Sequence, residues 1–125
     1  MEHLHQSLRI SPRDPLRYNT HNQLAQAYFF AKDYAKALDH ALIGASEAPN
    51  LSILHGILAV TYVGLGNIEK AREELETGRR LAPEYFQSRL DGVVTYRNPE
   101  NRQRYLMFLR IAAGLEDPSA AEALR

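Results

Sequence analysis

The sequence predicts an all-α fold, an α–α superhelix of antiparallel helix pairs with about seven helices and a short one at its C-terminal end. Three observations predict it. First, the chain repeats itself at one constant offset: Pro15, Pro49 and Pro83; Tyr28, Tyr62 and Tyr96; Leu24-Ala25 and Leu58-Ala59; Ala37 and Ala71; His21 and His55; Gly44 and Gly78. Second, each period holds two apolar-periodic stretches split by a turn signal, Lys32-Asp33 and then Gly66-Asn67. Third, small residues (Ala25, Ala37, Ala59, Ala71) recur beside large ones (Leu24, Tyr28, Leu58, Tyr62, Leu75), as close-packed helix pairs require.

Each element is justified in order. Glu2 to Ile10 reads as a short helix with Leu4, Leu8 and Ile10 on one side. In the register of the repeat this segment, 1–14, fills the second-helix slot of a preceding unit. The expectation is therefore a chain cut from something longer, since a solenoid end needs a complete capping element. Ser11 to Pro15 is a turn. The first unit, 15–50, pairs a helix from Leu16 to Phe30 with one from Tyr34 to Ala48, Asp33 serving as N-cap. The second unit, 51–84, pairs Leu51 to Leu65 with Ile68 to Leu81 across Gly66, a residue tolerant of positive φ. Prolines mark helix starts because proline fits the first turn and cannot continue the preceding helix. Glu69, Glu73, Glu74 and Glu76 with Lys70, Arg72, Arg79 and Arg80 form a charged, solvated outer face.

The third unit, 85–116, is degenerate. Its first helix is expected from Glu84 to Thr95, with Gly92-Val93 where the earlier units carry Leu-Ala. Pro99 can start the next helix, expected over Asn101 to Ala113 with Tyr105, Leu106, Leu109 and Ala112 inward and Gly114 at its end. Residues 117–125 form a cap, in which Ser119 and Glu122 have capping-box spacing on a short helix to Leu124.

Composition excludes several function classes. The 125 residues suffice for one domain with a core. Fifteen Lys plus Arg balance fifteen Asp plus Glu, which argues against a general nucleic-acid or anionic-membrane binder. With no cysteine there is neither a disulfide framework nor a thiolate metal site. No apolar run reaches the roughly 18 residues of a membrane span, and the N-terminal stretch MEHLHQSLRI lacks a signal-peptide core. A cytoplasmic setting is the default expectation.

The stretch SILHGILAVTYVGLGNIEKAREELETGRRLAPEY, Ser52 to Tyr85, resembles the tetratricopeptide repeat, a helix–turn–helix unit of about 34 residues. The resemblance implies that the first helix of each unit lines a concave groove. The groove stripe would then be Asn19, Asn22, Gln26 and Phe29, with Phe30 at its margin, in unit one, Ile53, Gly56, Val60 and Val63 in unit two, and Gln87, Leu90, Val94 and Arg97 in unit three. The helix from Leu51 to Leu65 is apolar nearly all round, which implies burial on more than one side. Either an apolar groove flanked by the amides of Asn19, Asn22 and Gln26 awaits a peptide, or neighbouring helices cover these residues. Some members of the family grip a terminal carboxylate with Lys, Asn and Arg. Here those places hold Asn22, Gln26, Ile57, Gln87 and Asp91, which argues against chaperone-tail binding. The two ends, Arg9 to Pro15 and then Tyr96 to Pro99, Arg104-Tyr105 and Leu109-Arg110, are similar to the repeat region behind the catalytic domain of bacterial class III adenylate cyclases and behind winged-helix regulator domains.

Catalytic chemistry finds no support. His3 and His5 lie two apart on a helix and face apart, His40 stands away from the others in the sequence, and His21 and His55 read as packed positions. About four converging zinc ligands are therefore not in view. Gly64-Leu65-Gly66 lacks the strand and third glycine of a nucleotide loop. Serines 7, 11, 46, 52, 88 and 119 have no evident His and acid partners. The expectation is a non-enzymatic module without cofactor or metal, binding a protein or peptide partner through the groove as part of a bacterial signalling protein. The alternative is a regulatory or dimerisation tail of a cyclase or DNA-binding regulator. Self-association is a further expectation, because a broken solenoid shows apolar surface.

Overall fold

The computed structural model describes residues 17–125, with side chains from Thr20 onward. The predicted helix over 2–10, the turn at 11–15 and the side chain of Asn19 lie outside the described residues. The described chain is helical, with no strand. Its elements are α1 (Arg17–Phe30), α2 (Tyr34–Glu47), α3 (Ser52–Gly64), α4 (Ile68–Leu81), α5 (Pro83–Leu90), α6 (Pro99–Ala112) and a 3-10 turn (Pro118–Ala121).

The period in the letters is also a period in the structure. α2 and α4 start and stop one full period apart. Asp33 and its counterpart Asn67 each cap the next helix by accepting the N–H three residues on, from Lys36 and Lys70, both at 3.3 Å. Lys32 (φ 64°) and Gly66 (φ 84°) both take the left-handed conformation that ends the first helix of each pair. At each of these ends two bonds run back into the last turn. Lys32 N donates to Phe29 O and Asp33 N to Tyr28 O, and Gly66 N to Val63 O and Asn67 N to Tyr62 O. The ammonium of Lys36 lies 5.6 Å from the Tyr28 ring centre, and that of Lys70 lies 5.8 Å from Tyr62.

Packing explains the small residues. Gly78 is buried where a Cβ would sit 2.7 Å from the Phe86 ring, and Gly44 where one would sit 3.1 Å from Leu54. α3 is the axis of the molecule: every residue from Leu54 to Gly64 is buried, and α1, α2, α4, α6 and the 3-10 turn all pack on it. Its all-round apolar character thus corresponds to neighbours on all sides.

The third unit departs from prediction. α5 stops at Leu90, not Thr95, because Gly92 (φ 102°) closes it, with Gly92 N bonded to Arg89 O and Val93 N to Ser88 O. Residues 91–98 are irregular, so Tyr96 occupies a connection and not the helical slot of Tyr28 and Tyr62. α6 starts early at Pro99, capped by Asn98, whose side chain accepts from Glu100 N at 2.8 Å and Asn101 N at 3.2 Å. Its buried set is Arg104, Tyr105, Phe108, Leu109, Ile111 and Ala112, while Leu106 is only half-buried. The last short helix is a 3-10 turn capped by Asp117 through Ser119 N, so the Ser119–Glu122 capping box does not describe it.

Candidate functional site

The predicted groove stripe does not form one open surface. Phe29, Val60 and Val63 are fully buried and Asn22 is buried, whereas Ile53, Gln26 and Val94 are half-buried and Gln87 and Arg97 are exposed. The cover is the chain's own α6, lying across α3, α4 and α5. Phe108 meets Phe29 edge-on at 5.9 Å and Tyr34 at 6.2 Å. Gln26 Nε2 donates to Asn22 Oδ1 at 3.3 Å, and Gln26 Oε1 accepts from the Tyr96 hydroxyl at 3.3 Å. The Tyr96 ring packs on Phe30 at 4.6 Å and on Tyr105 at 5.3 Å. One amide of the predicted flank is thus engaged by the connection leading into α6. Gln87 turns instead to Asp91 on its own helix end, at 3.0 Å.

The polar side of this closure is a row of arginines. Arg104 Nη2 donates to Phe29 O at 3.0 Å and Phe30 O at 2.9 Å, at the end of α1. Arg125 donates through Nε (3.3 Å) and Nη2 (3.0 Å) to Val63 O, at the end of α3. Arg110 donates through Nε (3.2 Å) and Nη2 (3.1 Å) to Leu90 O, at the end of α5. Phe29 and Val63 are one period apart, so equivalent carbonyls of two units each receive a guanidinium. The C-terminal end of a helix carries partial negative charge and unpaired carbonyls. Neither α1 nor α3 has a basic residue in its own last turn, and the segment around α6 supplies it.

Burial sets the electrostatics. Arg104 is buried, stacked 5.1 Å from the Phe29 ring centre, and its Nε has no hydrogen-bond partner among the described residues. Tyr34, whose buried hydroxyl likewise has no partner among the described residues, has its pKa raised by burial, against the opposing charges of Arg104 and Arg125. Tyr96 is pushed up to about 12 by burial, with Tyr85 adding and Arg89 opposing. Tyr105 is also raised, again by burial first. A surface cavity of about 290 Å³ borders this seam, lined by Lys32, Glu100, Gln103, Arg104, Ala123 and Leu124.

The repeat-related histidines are packed and bonded. His55 Nδ1 meets Glu74 Oε2 at 2.9 Å and its Nε2 meets Pro49 O at 2.7 Å. One period earlier His21 Nδ1 meets His40 Nδ1 at 3.0 Å, the same positions with a histidine in place of the glutamate. Glu74 therefore belongs to this inter-helix contact and not to the solvated face. Among the described residues no cluster of His, Asp and Glu could hold a metal ion, and no helix is long and apolar enough to cross a membrane.

Arg104, Arg110, Arg125, Tyr105 and Phe108 form the closure, and of these sequence reasoning placed only Tyr105 inward. The available signal was the absence of basic residues at the ends of α1 and α3, which leaves carbonyls for a distant donor. No protein-family model, curated protein or solved structure matches the chain.

Proposed function

We propose that this chain is a protein-interaction module of the tetratricopeptide type whose inner face takes an amphipathic helix and, in the state seen here, holds its own α6. The observation carrying the reading is the seating of α6 on the predicted groove, with Phe108 against Phe29 and Arg104 on the carbonyl end of α1. A helix laid into an apolar groove through anchors on one face is a recurring recognition mode. The matched caps, left-handed residues and histidine contacts of residues 20–47 and 54–81 support the repeat assignment. The binding face is the α1–α3–α5 side, and access to it requires α6 to lift.

A double variant, Arg104→Ala with Phe108→Ala, tests this. It is expected to keep a cooperative thermal transition and the helicity of α1–α4 while gaining binding of a hydrophobic dye as Phe29, Val60 and Val63 become exposed. Loss of the whole fold in one step would show that α6 is core and not occupant.

A further inference from the structure

Resting on the reading that the inner face takes a helix, we propose that the occupant is exchangeable: two copies of the chain swap the segment Pro99–Arg125, each filling the other's inner face and seating Arg104 and Arg125 on the other's helix ends. Three features carry this.

The interface is self-sufficient. Every arginine of the closure lies on the segment itself, and the acceptors are backbone carbonyls at the ends of α1, α3 and α5. A second copy presents the same acceptors to the same donors, so an exchanged segment repeats each bond without new chemistry.

The connection has reach and a pivot. Eight residues, 91–98, separate α5 from α6 without regular structure. Fully extended they span about 26–29 Å, longer than the roughly 21 Å of a helix the length of α6. Gly92 at φ 102° sets the present reversal, and Val93 beside it is 58 % exposed. Tyr96 packs on Tyr105 of α6 and also on Phe30 of α1, to whose Gln26 it donates, so the pivot lies at Gly92 and freeing the whole connection breaks these contacts with α1.

The grip is incomplete. The Arg104 guanidinium is buried on neutral carbonyls and a ring, with no partner for Nε among the described residues. A buried charge so held is offset less than one paired with a carboxylate.

The whole chain with Ser46→Cys, an exposed position in a sequence without cysteine, is labelled in two pools with donor and acceptor fluorophores. Mixing is expected to give energy transfer that rises with concentration. Excess synthetic peptide Pro99–Arg125 should abolish it, and a peptide with Arg104→Ala and Arg125→Ala should need at least ten times more. A chain lacking Gly92–Val94, whose shortened connection favours exchange over return, should be a dimer by light scattering at every concentration. Absence of transfer at millimolar concentration, or transfer that the peptide does not affect, overturns the exchange. Peptide binding without transfer between copies also overturns it but leaves the helix-binding face standing, and absence of peptide binding removes that reading as well.

Discussion

Arg104 stands over the ring of Phe29, 5.1 Å from its centre, and donates to the Phe29 carbonyl at 3.0 Å. A residue of the last helix thereby stacks on the side chain and caps the backbone of a residue 75 positions earlier. Charge-assisted bonds of this kind contribute about 1.5–3 kcal/mol each, offset here by the burial of a charge without a carboxylate. Arg104→Ala is expected to lower stability by about 2 kcal/mol in urea unfolding, with α6 loosened first. An unchanged midpoint would show that the contact contributes nothing net.

Leu58 lies 1 % exposed at the centre of α3. Leu58→Ala should cost roughly 2–5 kcal/mol, as buried leucine truncations do. A loss well below that range would mean that α3 is not the axis of the core.

Lys32 and Gly66 hold the same left-handed position in successive units. A side chain there costs roughly 1–2 kcal/mol, partly offset by the greater unfolded-state freedom of glycine. Lys32→Gly should therefore raise stability by up to about 1 kcal/mol, and Gly66→Ala should lower it by about 1 kcal/mol. Equal and small effects at both sites would contradict the equivalence of the two turns.

Three tyrosines of the α6 seam, Tyr34, Tyr96 and Tyr105, have raised pKa values, burial being the first cause in each. The unfolded chain ionises its tyrosines near pH 10, whereas folded Tyr96 holds its proton to about 12. The stabilisation from the neutral hydroxyls is complete below about pH 10 and is lost as pH rises through the folded values. Stability should fall steeply above about pH 10, with phenolate absorbance appearing together with unfolding. Titration of all tyrosines near pH 10 without unfolding would contradict the burial.

Much of the fold is legible in the letters because units one and two obey local rules. Asp33 caps, Gly66 turns, and the alanines mark close approach, each readable from a few neighbouring residues. The third unit is where local signals compete. The repeat register puts Tyr96 in a helix, but Gly92 closes α5 at Leu90, and once the helix stops the register has no hold on residues 91–98. Helix periodicity selects the groove stripe, but its cover is a long-range event. Nothing near Phe29, Val60 or Val63 names α6 as the neighbour. Arginines 104, 110 and 125 give no local sign of their role, because an arginine on an amphipathic helix usually meets water, and only the fold brings the end of another helix to it. His21 and His55 are readable as packed positions, while the role of Glu74 depends on the α3–α4 approach.

On the proposed function, α6 occupies a face that it can leave. Native-state hydrogen exchange across low denaturant concentrations tests it most directly, because opening that stops short of global unfolding is read segment by segment. The account predicts that amides of Pro99–Ala112 exchange through an opening of lower free energy and smaller denaturant dependence than those of Ser52–Gly64. Identical free energies and slopes for the two helices would contradict it, since α6 would then open only when the whole molecule unfolds.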